Sequence, residues 1–339
     1  MKNKILTFSV AAFNVQKYLS KLIESIMLVK QLELLELLIV NDGSTDETLS
    51  IAKEFEKKYP NVIRVVDKEN GGHGSTINIG LCEASGKYFK PLDGDDWVDP
   101  TGLNELLSVL QSSNEDIVLT DYFRCYEDGR EERITTEGLE ANQCYSADVA
   151  VKAISRMFYH ITYYKTDILQ KNYIRLDEHC FFVDTELAIY PVPFFQSVRY
   201  VPTAVYCYRL GLEEQSVSKN SRMKHIDDSR KVAYALFSFY KENQEHLSLA
   251  KRQYVEKYIA SHCVWHFRSL MFFAPSHKQF VELKNFDDDV AVFSKTVFEN
   301  MSEPVSGISW HDSQIVSRVR KTKYLYYFLY GIARKVLKK

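Results

Sequence analysis

The sequence lacks the features that mark several classes of protein. Its six cysteines are scattered over 339 residues without a CxxC pair, which argues against a zinc ribbon or a thioredoxin-like redox site. A chain of 39.4 kDa can bury enough apolar surface to fold without disulfides. No run of about 18 apolar residues is present, so no segment is expected to span a membrane. The apolar stretch 5–10 has strand length and no small-residue cleavage site, so we expect no signal peptide and a cytoplasmic protein.

An excess of one sign of charge is also absent. The formal net charge is −2, so we expect no nucleic acid among the partners of the protein. Apolar residues make up 45% and charged residues 26% of the chain, as in globular proteins and unlike disordered ones. The unusual counts are 22 Tyr and 20 Phe. Such an excess is found in protein cores and also where sugars or membranes are handled, so alone it does not separate these functions.

The first third of the chain alternates between strand-like and helix-like patterns. Alternation of this kind builds right-handed βαβ units, so the sequence predicts an α/β fold with a mostly parallel sheet and helices on both faces. The second helix is expected to open with a capping box made by Ser44 and Glu47. The predicted strands are 5–12, 36–40, 62–66, 87–92 and 116–120, and the predicted helices are 15–29, 44–58, 75–84 and 100–112.

Polar residues and glycines gather where the predicted strands end. In open parallel sheets, ligands bind beyond the carboxyl ends of the strands, so this edge is where we expect a site. The segments that fall there are Ala12-Phe13-Asn14, Asn41-Asp42-Gly43, Glu69-Asn70-Gly71-Gly72-His73-Gly74 and Asp93-Gly94-Asp95-Asp96.

Asp93 and Asp95 are candidate metal ligands. They lie two residues apart on an extended segment, so both carboxylates face the same side. Gly94 between them lets another group approach the backbone closely. Two carboxylates suit Mg²⁺ or Mn²⁺, which would bridge a diphosphate and act as a Lewis acid for its departure. The alternative is a solvated turn, since Asp and Gly are turn formers, but the position after an apolar strand favours the metal site.

Asp42 also follows an apolar strand, and it precedes a helix. It could accept a hydrogen bond from a nucleobase or ribose, or it could be a loop carboxylate near the positive end of that helix. The glycine-rich segment 71–76 lacks the P-loop lysine and the G-x-G-x-x-G pattern, so neither a Walker-type NTPase nor a dinucleotide enzyme is supported.

Four segments, in order and at characteristic spacing, resemble the family 2 glycosyltransferases, which have a GT-A fold of Rossmann-like character. The segments are Ser9-Val10-Ala11-Ala12-Phe13-Asn14, Val40-Asn41-Asp42-Gly43-Ser44-Thr45-Asp46, Glu69-Asn70-Gly71-Gly72 with Asn78-Ile79-Gly80, and Leu92-Asp93-Gly94-Asp95-Asp96. The resemblance implies transfer of a sugar from a nucleotide diphosphate donor, most simply a UDP-sugar, with Mn²⁺ or Mg²⁺ as cofactor.

The resemblance also implies a division of the chain and of its site residues. Residues 1–120 would form the nucleotide-sugar-binding half of the GT-A domain, 121–218 the acceptor-binding half, and 219–339 a helical C-terminal extension. Metal would be held by Asp93 and Asp95. The implied donor-binding residues are Ala12, Phe13, Asn14, Asp42, Asn70, Gly71, Gly72, Asn78, Asp93, Gly94, Arg209 and Ser216.

The segment Phe181-Phe182-Val183-Asp184-Thr185-Glu186 is similar to the Glu-Asp segment that supplies the catalytic base of the family. Asp184 matches the base; the alternatives are an ordinary Asp at a helix start, or Glu186 as the base. Val183 replaces the usual Glu, Ile77 replaces a frequent Arg and Ala11 a usual Pro. The segment Tyr206-Cys207-Tyr208-Arg209 and the serines after it are similar to a region that contacts the diphosphate, although Arg209 could equally form a structural ion pair. The Gln-x-x-Arg-Trp signature of processive synthases is absent, which predicts single-sugar addition.

The last third of the sequence is predicted to be helical. His262 and His266 are four residues apart, but without a carboxylate motif nearby we expect core or surface histidines rather than metal ligands. Asp287-Asp288-Asp289 is expected to form a solvated loop. Residues 313–339 contain eight basic residues and no acid, with an aromatic run between the basic clusters. This tail would either pack its aromatics on the body or lie on an anionic membrane surface.

Together with these residues, the resemblance implies an inverting, metal-dependent glycosyltransferase that adds one sugar to a glycan, lipid-linked or protein acceptor. By analogy with the family, it would act in bacterial surface polysaccharide or glycoconjugate synthesis. It would be cytoplasmic and peripheral on the inner face of the cell membrane. One alternative is a phosphatase of the haloacid-dehalogenase type, which also places a DxD after an apolar strand, but near the start of the chain. Another is a non-catalytic protein that keeps the glycosyltransferase fold. This alternative stays open because Val183 and Ile77 depart from the family pattern.

Overall fold

The computed structural model describes residues 4–211, 219–272, 276–304, 309–322 and 324–325. The chain forms two compact units, residues 1–212 and 213–339. The division of the first unit at residue 120 stays a prediction.

The first 112 residues form the predicted alternation of strands and helices. Strands β1 and β2 are buried on both faces, as in a sheet covered on both sides. Helix α1 buries Leu19, Leu22, Ile23 and Ile26, which lie at helical spacing on one face. The elements are β1 (Leu6–Ala12), α1 (Leu19–Met27), β2 (Leu35–Asp42), α2 (Thr48–Lys58), β3 (Ile63–Lys68), α3 (His73–Glu83), β4 (Tyr88–Asp93), β5 (Trp97–Val98) and α4 (Pro100–Ser112).

The start of α2 differs from the sequence-based expectation. The helix begins at Thr48, and Ser44 and Glu47 do not form a capping box. Ser44 instead accepts a hydrogen bond at its Oγ from the backbone N–H of Asn14, 3.0 Å away. Its hydroxyl therefore joins two loops rather than capping the helix.

The second half of the first unit completes the sheet. Its elements are β6 (Ile117–Tyr126), β7 (Glu131–Ile134), β8 (Cys144–Ser146), α5 (Ala147–Ala153), β9 (Thr162–Lys165), α6 (Thr166–Lys171), α7 (Asp184–Ile189) and β10 (Ser197–Leu210). The strand order is β3-β2-β1-β4-β9-β6-β10-β5, with β7 on β6 and β8 on β10. Neighbours among the first four strands are parallel, β6 and β10 are parallel, and β9 is antiparallel to both β4 and β6. The predicted fold class, α/β with a mostly parallel sheet, is confirmed.

The described part of the second unit is helical, as the sequence predicted. Its α-helices are α8 (Lys219–Lys224), α9 (Ile226–Asn243), α10 (Leu249–Phe272), α11 (His277–Phe293), α12 (Lys295–Asn300) and α13 (Trp310–Lys321). The sequence predicted core or surface positions for His262 and His266, and both lie in the core. Both are buried, and both contact Ser229: His266 through the Ser229 hydroxyl and His262 through its carbonyl oxygen.

The prediction for Asp287-Asp288-Asp289 was wrong, because these residues lie within α11 rather than in a loop. Asp287 is 2% exposed and its carboxylate pairs with Arg320 of α13. A run of three carboxylates suggested a solvated segment, and the ion pair with a residue 33 positions later in the chain overrides that preference.

No helix in the described ranges is long and apolar enough to cross a membrane. Residues 313–322 of the basic tail lie mainly in α13. The aromatic run from residue 326 and the basic residues after it lie outside the described residues, so the interfacial interpretation stays a prediction.

Candidate active site

The carboxyl ends of the first four strands lie side by side. Asn41 on β2 pairs with Ala12 on β1 and with Asp67 on β3. On the other side of β1, Ala11 pairs with Asp93 of β4. The polar segments that follow these strands are therefore brought to one edge of the sheet, as the sequence predicted.

The carboxylate of Asp42 is buried and takes hydrogen bonds from four protein donors. Its Oδ1 accepts from the backbone N–H of Gly71 at 2.9 Å, from Lys68 Nζ at 2.6 Å and from Ser75 Oγ at 3.3 Å, while its Oδ2 accepts from the N–H of Gly72 at 2.9 Å. Asp42 is 2% exposed. In this arrangement its side chain fixes the loop between β3 and α3.

Two asparagines attach neighbouring loops to this one. Asn70 donates from its side-chain amide to the carbonyl oxygen of Asp42 at 2.9 Å. Asn78 binds the backbone of Leu176 in both directions, accepting its N–H at 2.8 Å and donating to its carbonyl at 2.9 Å. The N–H of His179 also reaches the carbonyl of Gly71, at 2.6 Å. The chain that leads to Asp184 is thus tied to the glycine-rich loop.

The segment after β1 presents one aromatic ring. Phe13 is 49% exposed, whereas Ala12 is buried. Asn14 adopts a left-handed backbone conformation with φ of 54°, and its side-chain oxygen accepts from the N–H of Thr45 at 2.8 Å. Asn14 therefore shapes the loop, and the ring of Phe13 is exposed beside it.

Two tyrosines hold the aspartates at the end of β4. Tyr159 donates to Asp93 Oδ1 at 3.1 Å, and Tyr206 lies 3.3 Å from Asp93 Oδ2. Tyr206 also donates to Asp96 Oδ2 at 2.6 Å. Burial, followed by the charges of Asp95 and Asp93, raises the pKa of Asp96 well above its usual range. Asp96 is therefore a buried member of the cluster that supports the other two.

Gly94 lies where the backbone of β4 meets that of β1. Its N–H donates to the carbonyl oxygen of Ala11 at 3.1 Å. A Cβ atom on residue 94 would lie 2.7 Å from that same oxygen, so a glycine is needed for the two chains to approach this closely.

Arg209 lies against the same turn. Its backbone N–H donates to Asp96 Oδ1 and its Nε to the carbonyl oxygen of Asp95, both at 2.7 Å. Its guanidinium carbon lies 4.7 Å from the ring centre of Tyr18 and 4.8 Å from that of Trp97. The side chain is thus fixed beside the Asp93–Asp96 turn.

The two predicted metal ligands fit a divalent cation in their charge and hydrogen bonding. Burial, followed by the charge of Asp93, raises the pKa of Asp95 above its usual range, so this pair would gain from a positive charge between them. Asp95 takes no side-chain hydrogen bond from another residue in the described part of the chain. His73 Nδ1 lies 3.7 Å from Asp93 Oδ1. No set of three His, Cys, Asp or Glu side chains within the described ranges is placed to hold a metal ion.

Asp184 lies near enough to His73, Arg156 and Asp93 for their charges to act on it. It begins helix α7 and is exposed. Although part of the residue reaches solvent, the protein packed around its carboxylate displaces water there and raises the pKa of Asp184; the charges of His73 and Arg156 oppose this shift and that of Asp93 adds to it. The Asp184 carboxylate therefore interacts electrostatically with His73, at the start of α3, and with Asp93, at the end of β4.

The other candidates near Asp184 are buried. Glu186 is fully buried, and its Oε2 accepts the backbone N–H of Asp177 at 2.8 Å, so it is not presented to a substrate. Val183 and Ile77, at the two positions that depart from the family pattern, are 1% and 2% exposed. These two side chains pack in the interior.

Several side chains of this site were not identified from the sequence. Lys90 donates to the carbonyl oxygen of Tyr159, which in turn binds Asp93. Lys90 lies within an apolar strand and Tyr159 in a stretch without a clear pattern, so the sequence did not indicate a role for either residue. His73 was noted only as part of the glycine-rich segment, and Tyr206 only as part of the segment before Arg209. Ser216, a predicted donor-binding residue, lies outside the described residues.

Comparison with known proteins identifies relatives of the chain. A family model described as glycosyl transferase family 2 matches residues 7–183. EpsH of Bacillus subtilis (strain 168), a glycosyltransferase by name, is 26% identical over 255 residues, which are 72% of each chain. GgaB of the same organism, named a minor teichoic acid biosynthesis protein, is 33% identical over 177 residues; these are 50% of this chain and 19% of GgaB.

A solved structure shares the fold. S. aureus TarS, residues 1–349 in complex with UDP-GlcNAc, superposes with a TM-score of 0.62 at 18% identity, covering 95% of this chain and 93% of that one. At this identity the similarity shows a common fold. The arrangement of the sheet and the helices around it is therefore that of the GT-A-type glycosyltransferases.

Proposed function

The chain belongs to glycosyl transferase family 2, and from this membership we propose that it is an inverting, metal-dependent enzyme that adds one sugar from a UDP-sugar to an acceptor hydroxyl. The coarser function, a glycosyltransferase with a nucleotide-sugar donor, follows from the family and its named relatives. Inversion, metal dependence and the identity of donor and acceptor are the proposal.

One observation carries the proposal: Asp184 lies near enough to Asp93 and His73 for their charges to act on its carboxylate. A base on one side of the sugar and a diphosphate site on the other are what an in-line displacement needs. One displacement of this kind inverts the anomeric centre, by the same stereochemical reasoning that separates inverting from retaining glycosidases.

The donor would lie along the carboxyl edge of the sheet. The exposed ring of Phe13 is suited to pack on a nucleobase. Gly71 and Gly72, held by Asp42, would let the donor approach the backbone. Arg209, fixed against Asp95 and Asp96, would face the diphosphate.

In the transfer step, the acceptor oxygen forms a bond to the anomeric carbon while the bond from that carbon to the diphosphate oxygen breaks. Asp184 takes the proton of the acceptor hydroxyl, and the electron pair of the broken bond leaves on the diphosphate. Asp93 and Asp95 would hold Mn²⁺ or Mg²⁺, which when bound neutralises the charge that develops on that leaving group.

The acceptor is proposed to be a glycan, a lipid-linked intermediate or a protein in bacterial surface polysaccharide or glycoconjugate synthesis. The named relatives support this class, since one of them is a teichoic acid biosynthesis protein. A lipid-linked acceptor would suit a cytoplasmic enzyme whose basic tail, within 313–339, rests on the anionic inner face of the membrane.

The alternatives lose their basis. A haloacid-dehalogenase-type phosphatase is wrong, because residues 7–183 match the glycosyltransferase family. Val183 and Ile77 suggested a non-catalytic partner, but both are interior packing residues, and the named relatives are glycosyltransferases.

A donor screen tests the proposal. The purified full chain is incubated with UDP-, GDP-, dTDP- and CMP-sugars, and the release of free nucleotide is measured with Mn²⁺, with Mg²⁺ and with EDTA. We expect release from one UDP-sugar, its loss in EDTA and its recovery on adding metal. Full turnover in excess EDTA contradicts the metal role, and release from another nucleotide class alone contradicts the UDP assignment. The anomeric configuration of the product, read by NMR, tests inversion.

A further inference from the structure

Lys90 lies in the middle of β4 and is 0% exposed. Lysine is almost never fully buried without a charged partner, because removing its charge from water is costly. Within the described ranges no carboxylate lies at ion-pair distance from its amino group. That group donates instead to the carbonyl oxygen of Tyr159, a contact that an amine and an ammonium can both make. Because burying the amino group of Lys90 costs free energy, we expect this side chain to have a function that involves the groups that surround it.

Three tyrosine rings surround the amino group of Lys90. Its Nζ lies 5.2 Å from the ring centre of Tyr159, 5.2 Å from that of Tyr163 and 5.0 Å from that of Tyr206. Aromatic faces at these distances attract a cation. The side chain therefore fixes both the backbone of Tyr159 and the position of the rings around it.

The hydroxyl groups of two of these three tyrosines contact the aspartates of the site. The hydroxyl of Tyr159 donates to Asp93 Oδ1, and that of Tyr206 contacts Asp93 Oδ2 and donates to Asp96 Oδ2. Each phenol has one proton to donate. Tyr159 gives its proton to Asp93, and Tyr206 gives its proton to Asp96, while the Tyr206 hydroxyl oxygen accepts the backbone N–H of Asp93 at 3.3 Å. The Asp93 carboxylate is thus oriented by the hydroxyl of Tyr159 and its backbone is held by that of Tyr206, and the rings of both tyrosines pack around the amino group of Lys90.

We propose that Lys90 is a positioning residue for the metal site: through Tyr159 and Tyr206 it holds the Asp93 carboxylate in the orientation that binds the cation. The inference rests on the proposed function, since it takes Asp93 as a metal ligand. Residues that orient metal ligands commonly matter for affinity nearly as much as the ligands do. This role would explain why a lysine occupies a buried position in a mainly apolar strand, three residues before Asp93.

The test measures Mn²⁺ binding rather than turnover. Mn²⁺ is titrated into the full chain saturated with UDP, and free Mn²⁺ is followed by its EPR signal. We expect Lys90→Met and Tyr206→Phe each to weaken Mn²⁺ binding by roughly 10–100-fold, the usual effect of losing a group that orients a ligand. UDP binding in EDTA, measured by calorimetry, should stay near that of the wild type in both variants.

The chain offers a matched control for each change. Lys87, just before β4, also donates to a backbone carbonyl, that of Ser113, so Lys87→Met repeats the substitution away from the cluster. Tyr200 on β10 donates to buried Asp121 at 2.7 Å, so Tyr200→Phe repeats the loss of a buried hydroxyl. Both controls should bind Mn²⁺ as the wild type does, even if they lower the melting temperature.

Each outcome has one meaning. If the wild type binds no Mn²⁺ with UDP present, the metal role in the proposed function fails and the inference falls with it. If the wild type binds Mn²⁺ and Lys90→Met binds it equally well, the inference alone is overturned. If Lys90→Met does not fold, Tyr206→Phe decides: wild-type Mn²⁺ affinity in that variant overturns the inference.

Discussion

The carboxylate of Asp42 accepts a hydrogen bond from the backbone N–H of Gly72 at 2.9 Å, across 30 residues of sequence. With the bonds from Gly71, Lys68 and Ser75 to the other oxygen, both carboxylate oxygens bind protein donors. Its contribution to donor binding would then be indirect: it shapes the loop that a nucleotide would lie against. A direct contact with a nucleobase would have to use Oδ2, which takes only the bond from Gly72.

Replacing Asp42 by Ala should therefore affect stability and nucleotide binding together. The change leaves the N–H groups of Gly71 and Gly72 without their acceptor, and each buried unsatisfied donor costs about 1–3 kcal/mol. We expect a melting temperature lower by roughly 5–10 °C, since about 1 kcal/mol shifts it by a few degrees in a unit of this size. We also expect weaker UDP binding, measured by calorimetry below the melting transition.

Exposed Glu69, in the same loop, provides the control, and Glu69→Gln should change neither quantity. A direct contact with the nucleotide as the main role of Asp42 would give the opposite pattern: a large loss of UDP affinity with an unchanged melting temperature.

Asp184→Asn should separate chemistry from binding. The amide keeps the shape of the side chain but cannot take the proton of the acceptor. We expect sugar transfer to fall by roughly 10²–10⁴, the usual contribution of a general base, while the dissociation constant for the donor stays near that of the wild type. Single-turnover transfer to a true acceptor and calorimetry with the donor measure the two quantities.

Glu186→Gln is the comparison for this variant. Glu186 is fully buried and binds the backbone of Asp177, so its loss should affect transfer far less. If Asp184→Asn transfers at nearly the wild-type rate and Glu186→Gln does not, the base has been assigned to the wrong residue. If both transfer normally, the base lies elsewhere in the chain.

The rate of transfer should depend on pH through Asp184. Only the unprotonated carboxylate can accept a proton, so the rate falls as pH is lowered through its pKa. Loss of surrounding water raises that pKa, with His73 and Arg156 opposing and Asp93 adding to the shift. The acid limb of the rate should therefore lie above the value of about 3.9 expected for an ordinary Asp. A limb at or below that value contradicts the assignment, and Asp184→Asn should abolish the limb in its residual rate.

The carboxyl edge of the sheet could be predicted because its signals are local. Each strand is a short apolar run, and the polar residues that follow it are adjacent in sequence. The buried lysine and tyrosines that hold the aspartates at this edge could not be predicted in the same way. Lys90 and Tyr159 are 69 residues apart, and Tyr206 meets Asp96 across 110 residues, so only the tertiary fold brings them together.

The same distinction explains the error at Asp287. From composition, a run of three carboxylates is expected to be exposed to solvent. One of them, Asp287, is buried because it pairs with Arg320, which belongs to another helix. Arg320 reaches Asp287 with its Nε at 3.1 Å from Oδ1 and 3.0 Å from Oδ2, and the hydroxyl of Tyr324 donates to Oδ2 at 2.9 Å. Arg320 also donates to the carbonyl oxygen of Phe298 at 2.7 Å and to Ser302 Oγ at 2.8 Å.

This buried pair should be needed for the stability of the helical unit. In Asp287→Ala the guanidinium of Arg320 stays buried without its counter-charge, and breaking one partner of such a pair costs about 3–5 kcal/mol. The neighbouring Asp288 is exposed on the same helix, so Asp288→Ala repeats the substitution without the ion pair and should change stability by less than about 0.5 kcal/mol. Urea unfolding of the full chain, followed by circular dichroism, compares the two variants. Because only Asp287 is buried against a cation, equal destabilisation by both changes would mean that loss of negative charge on α11, rather than loss of the pair with Arg320, is responsible.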